Sequence, residues 1–237
     1  NTTGKCNTSF GYQSLYYGVS GCDNFAGGYR ALHRYNGCYN TAIGYRALRD
    51  NDIGNHNVAF GCGAMQTNTT GGSNFAALNG ALGANTTGER NTAIGRTSLE
   101  ANTTGDYNVA LGFAALEANT TANNNTAVGY SALVANTTGN NNVAAGFSAA
   151  SSNTTGEDNI AIGVLAFADN TTGSNNVAIG RESLEKNTTA SNNTAVGHRS
   201  LAVNTTGTLN TAVGSSSLDA NTTGTYNVAM GSDSLTT

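Results

Sequence analysis

Asn-Thr-Thr recurs at Asn1, Asn68, Asn85, Asn102, Asn119, Asn136, Asn153, Asn170, Asn187, Asn204 and Asn221, and from Asn68 onward the interval is 17 residues every time. A fixed period of this kind is the mark of a stacked repeat architecture. A second Asn runs through the same frame at position 7, as Asn7, Asn24, Asn40, Asn57, Asn74, Asn91, Asn108, Asn125, Asn142, Asn159, Asn176, Asn193, Asn210 and Asn227. The coil between Asn24 and Asn40 is one residue short, so fourteen coils account for all 237 residues. The frame leaves no linker. Residues 1–67 read as atypical Cys- and Tyr-rich coils, and residues 68–237 as regular coils of the same solenoid.

The consensus is N-T-T-G-x-x-N-T-A-I-G-x-x-A-L-x-A. Position 9 is Ala except at Ser9, position 11 is Gly except at Leu78, and position 14 is always Ala or Ser. Position 15 is Leu except at Met65, Ala150 and Phe167. So strict a frame excludes disorder, which the abundance of Asn, Thr and Gly would otherwise suggest. Helical repeats run to about 33–47 residues, too long for this unit. Short β-branched runs bounded by Gly and Asn read as strands and turns. The pattern predicts an all-β fold, a parallel β-solenoid (β-roll) of fourteen 17-residue coils. Positions 7–11 are expected to form one strand, and positions 13 to 17 a second. Neighbouring coils step by about 4.8 Å, which makes a rod of roughly 65 Å.

Side chains alternate faces along a strand. Positions 8 and 10 carry Thr, Val, Ile, Leu or Phe on one face, and positions 9 and 11 carry Ala and Gly on the other. Neither face looks solvated, and a strand buried on both sides needs two cores. One is the coil's own interior, and the other requires a partner surface. The pattern therefore predicts self-association, as a homotrimer or a filament, with a lone rod exposing its Ala/Gly side as the competing picture. Leu78, which breaks the Gly row, is expected to produce a local bulge or displaced strand.

The N-T-A-I-G or N-V-A-I-G strand followed by a small residue and Leu resembles the head repeats of trimeric autotransporter adhesins, YadA-like β-rolls. It is also similar to N-T-A-I-G repeats of bacteriophage tail fibres and bacterial surface proteins. The likeness covers all coils and is strongest from Asn85 to Met230. It implies a trimeric left-handed parallel β-roll and a role in adhesion or fibre building. This chain departs in its period, 17 rather than about 14, with the surplus in the N-T-T-G turn.

Chemistry is sparse. Only 10% of residues are charged and the net charge is −4, no electrostatic footprint for nucleic acid. No stretch approaches the roughly 18 apolar residues of a membrane span, so no membrane insertion is expected within the chain. His33, His56 and His198 occupy three different frame positions, and no phosphate loop, paired carboxylates or recurrent calcium-binding Asp appears. No catalytic residue, metal site or cofactor is expected. An active site on a β-helix enzyme should break the frame with acidic insertions, and none occurs.

Cys22 and Cys38 share position 5 in successive coils, which places their Cα atoms about 5 Å apart, within disulfide reach. Packed free thiols, and a zinc site with His33 or His56, are the other readings. The position-7 Asn residues should stack into a ladder that fixes register. The eleven N-T-T sites, Asn1 to Asn221, are candidate N-glycosylation acceptors, although Asn and Thr also suit the turn. Tyr12, Tyr29 and Tyr45 share position 12, with Arg30 and Arg46 beside them. They form a candidate ligand ladder for surface glycans or another partner, or mark an atypical terminal region. Residues 1–49 carry Lys5, Arg30, Arg34, Arg46 and Arg49 against Asp23 alone.

These features together predict a structural or adhesive fibre segment, extracellular, cell-surface or virion-borne, rather than a catalyst. Thr rows at about 4.8 Å also suit an ice-binding solenoid, but the flat T-x-T strand is missing. A chain that begins at Asn1 and ends within the frame at Thr237 is expected to be an excerpt of something longer.

Overall fold

A computed structural model of the chain describes residues 3–236. They fall into two compact units, one ending at Ala122 and one beginning at Asn123. Both are parallel β-solenoids without helix. The first contains β1 (Thr8–Phe10), β2 (Phe25–Gly27), β3 (Thr41–Ile43), β4 (Val58–Phe60), β5 (Phe75–Ala77), β6 (Thr92–Ile94) and β7 (Val109–Leu111). They pair in chain order, so that Ala42 lies beside Ala59 and Ala93 beside Ala110. The second contains β8 (Thr126–Val128), β9 (Val143–Ala145), β10 (Ile160–Ile162), β11 (Val177–Ile179), β12 (Thr194–Val196), β13 (Thr211–Val213) and β14 (Val228–Met230), again in order. The change of composition at residue 67 lies inside the first unit, where β4 pairs with β5 in frame.

Each coil has one strand of three residues, not two longer ones. Left-handed backbone stops it on both sides. Position 6 has positive φ, as at Ser73 (60°) and Asn175 (60°), and so does Gly at position 11. The expected second strand at positions 13 to 17 is a series of turns, because positions 13 and 15 are also left-handed, as at Thr97 (57°) and Leu99 (50°). A left-handed Leu costs about 1 kcal/mol or more. Bonds between coils hold it there. The Leu99 amide donates to Ala115 O at 3.0 Å in the following coil, and the Thr97 amide to Asn79 O at 3.0 Å in the preceding one. The corners are thus hydrogen-bonded along the stack much as the strands are.

The left-handed residue at 15 turns Leu inward. Leu82, Leu99, Leu116, Leu133, Leu184 and Leu201 are fully buried, together with the position-9 Ala residues and the small residues at 14. Buried Ser hydroxyls at 14 find carbonyl acceptors, as Ser98 Oγ does at Gly95 O, 2.8 Å. Ala150 and Phe167 occupy position 15 in successive coils, where the large ring makes up for the small neighbour. The bulky residues at 8 and 10 face outward, and Ile94 and Ile162 are 39% and 40% exposed.

Leu78 produces no bulge. β5 stays in register with β4 and β6, and the Leu78 amide donates to Phe60 O at 2.7 Å. Its φ is 87°, inside the positive region that Gly occupies in the other coils, and its side chain points to solvent. Gly is favoured here for two reasons. In Gly163 (φ 134°) an added Cβ would also lie 2.6 Å from Gly180 O of the next coil.

Candidate functional site

The two Asn positions of the repeat form two buried columns, and the carbonyl at position 4 joins them. At position 7, the Asn91 amide N–H donates to Asn74 Oδ1 at 2.9 Å, while Asn91 Nδ2 donates to Gly105 O at 2.8 Å. At position 1, Asn102 Nδ2 donates to Asn85 Oδ1 at 2.9 Å and to the same Gly105 O at 3.0 Å. Buried polar groups must be paired, and these are, coil after coil. The second unit repeats the arrangement, with Asn176 and Asn187 both donating to Ala190 O at 3.0 Å. The first Thr of N-T-T is engaged as well, since Thr86 Oγ1 donates to Thr103 O at 2.9 Å.

The candidate glycosylation sites are therefore closed in the folded coil. Asn68, Asn85, Asn102, Asn119, Asn136, Asn153, Asn170, Asn187 and Asn204 are buried. Asn221 is part-buried and bonds in the same way, Nδ2 to Asn204 Oδ1 at 2.8 Å. Asn1 lies outside the described residues. Attachment of a sugar at Nδ2 would break the column. Position 1, which reads in the sequence as a turn or glycan site, is thus a second amide column beside the expected one at position 7.

Cys22 and Cys38 are joined by a disulfide across adjacent coils, with Cα atoms 4.6 Å apart. Cys6 and Cys62 are free and exposed. The short coil is closed by Tyr35, which stands where the position-1 column later has Asn. Its ring lies against Gly18 and Gly21, where any Cβ would collide with it. Burial pushes the Tyr35 phenol above its ordinary value. His33 stacks on Tyr16 and His56 on Tyr39. Among the described residues no cluster of His, Cys, Asp and Glu is placed to hold a metal ion.

Tyr12, Tyr29 and Tyr45 stack at 5.5 and 5.2 Å between centroids, with their rings nearly parallel. The Arg30 guanidinium lies beside the Tyr29 ring at 5.3 Å and that of Arg46 beside Tyr45 at 5.0 Å. The stack is assembled, but its inner ring faces are spent on one another, leaving edges and the two outer faces. Elsewhere charge is local. Hydrogen bonds to Glu185 and Asp169 hold the Lys186 ammonium above its usual value, and Asp50 does the same for Arg49. Such exposed pairs contribute little to stability. Among the described residues no helix is long and apolar enough to cross a membrane.

The coil leaves its outward strand face uncovered. In the first unit Phe10, Ile43, Phe60 and Ile94 form one row, and in the second Val128, Ile162 and Ile179 do so. Comparison with protein-family models, with curated proteins and with solved structures finds no match for this chain.

Proposed function

We propose that the chain is a structural and adhesive fibre segment of a surface appendage, extracellular filament or virion tail fibre, and that it assembles with copies of itself rather than catalysing a reaction. The observation that carries this reading is the outward apolar row at position 10. It recurs at the coil spacing, with only Gly27, Ala77 and Ala145 small, so a second copy presents a row of the same spacing. Large exposed apolar patches are uncommon on monomers. Closed packing of copies makes a trimer, as the resemblance to adhesin heads implies, and open packing makes a filament. The Cys22–Cys38 disulfide supports an oxidising, extracellular setting.

Sedimentation velocity of the chain and of an Ile94→Asp/Ile162→Asp variant tests it. We expect a trimer or larger species for the parent and a monomer with unchanged circular dichroism for the variant. A monomeric parent at high concentration would overturn the reading. One observation favours a second reading, ice binding. The second Thr of each N-T-T, from Thr70 to Thr223, is exposed. The column is one residue wide, because the neighbouring position-2 hydroxyls bond to carbonyls, as Thr154 Oγ1 does to Thr171 O at 2.9 Å. Thermal hysteresis separates the two readings.

A further inference from the structure

The first unit contains an open groove of about 620 Å³ lined by Tyr17, Arg34, Asp50, Asp52, Thr67 and Thr69. Tyr17, Arg34, Asp50 and Thr67 share frame position 17 in four successive coils, and Asp52 and Thr69 share position 2. The groove lies beside the short coil, where Arg34 leads directly into the buried Tyr35. It is separate from the strand face assigned to self-association and from the Tyr12 stack.

We propose that this groove binds a saccharide. The ring of Tyr17 supplies the platform. Its centroid is 4.7 Å from that of Tyr16 and 5.0 Å from that of His33, and those two are 5.6 Å apart. Tyr17 meets both rings nearly at right angles, at 88° and 81°, and lines the groove. Tyr17 is 61% exposed. An aromatic ring in this state can pack against the C–H face of a pyranose.

The polar groups around it match the edge of a sugar. Among the described residues the Arg34 guanidinium has no ion-pair or hydrogen-bond partner, and it offers a planar fork of donors. Asp52 Oδ1 accepts from Asn36 Nδ2 at 2.9 Å, which fixes a carboxylate that retains further acceptor capacity. Asp50 is held by Arg49. Two carboxylates facing the same space as Arg34 oppose a phosphate backbone. A lining of this polarity does not suit a lipid. A ligand with one apolar face and a rim of hydroxyls satisfies all of these groups, and the volume lies in the range of small-molecule sites.

The test is calorimetric and NMR titration of the intact chain with cellotetraose, a neutral probe, and tetragalacturonate, an acidic one. Millimolar binding of either or both supports the proposal, and the preference identifies whether Arg34 meets a hydroxyl or a carboxylate. Tyr17→Ala should weaken binding by about tenfold, while Tyr17→Phe keeps it. Arg34→Gln should weaken it severalfold. Tyr12→Ala should leave it unchanged, because its stack is elsewhere. Melting curves of the variants check that the exposed substitutions leave the fold intact. Absence of saturable binding to both probes, or binding that survives Tyr17→Ala, overturns the proposal. Sedimentation does not enter this test, so it can fail while self-association stands, and the reverse.

Discussion

The early coils and the regular coils solve the same problem in different ways. From Asn51 onward position 1 is Asn, and from Asn68 its amide bonds the Asn of the preceding coil, so each coil is a template for the next. Before Asn51 that column is Gly18 and Tyr35, one residue is missing, and closure comes from a buried ring and a disulfide. The position-7 column runs unbroken through the short coil, where Asn40 Nδ2 donates to Asn24 Oδ1 at 3.1 Å, so the missing residue is absorbed on the position-1 side. There a ring fills the space against two glycines. The irregular coil occurs where the position-1 column is absent, and the polar groove lies beside it.

The largest expected effect is on the amide columns. Asn91→Ala leaves the Asn108 amide N–H without its acceptor and removes one of two donors at Gly105 O. We expect a loss of about 3–4 kcal/mol in chemical denaturation. A loss below about 1 kcal/mol would mean that the ladder fixes register without supporting stability.

The position-11 turns come next. Gly163→Ala should cost about 3 kcal/mol, from both the positive φ and the meeting with Gly180. Leu78→Gly should have the opposite sign and gain about 1 kcal/mol by relieving its positive φ. The two melts side by side check this, and equal signs would refute it.

Reduction of Cys22–Cys38 separates the two regions directly. Opening a bridge across 16 residues should cost about 2–3 kcal/mol. Hydrogen exchange should quicken at the Tyr39 amide, which bonds Cys22 O, and not at the Asp158 amide, which bonds Asn140 O in a regular coil. Uniform quickening would show that the coils do not open separately.

The smallest effect is alkaline. Tyr35 has its pKa raised in the folded chain, so its contribution is intact below about pH 10, the ordinary value, and is lost as pH rises through the folded value. Tyr35→Phe keeps the ring and should remove that loss. A stability–pH curve above pH 9 that is the same for parent and variant would contradict it.

Period, parallel pairing and register were legible in the sequence because they depend on identity between coils. Invariant Asn at position 7 bonds to its own kind in the neighbouring coil, and the small residues at position 9 fall opposite one another, as Ala93 does with Ala110. The shared frame position of Cys22 and Cys38 put them within disulfide reach but left free thiols and zinc open, and the structure pairs them. Which face was inside was not legible. Both faces of positions 8 to 11 are non-polar, so hydrophobic patterning could not choose between Ala93 and Ile94. The choice is made by the left-handed backbone at 13 and 15, which turns Leu99 into the core with Ala93 and leaves Ile94 outside. A trace of it exists, since no Val, Ile or Thr stands at positions 6 or 15, and β-branched residues resist positive φ. The burial of the N-T-T Asn was hidden for a similar reason. A turn residue and a column residue look alike until neighbouring coils supply the acceptor. The groove at Tyr17 brings together Arg34, Asp50 and Asp52 from different coils, and only the stacking of those coils brings their side chains into one space.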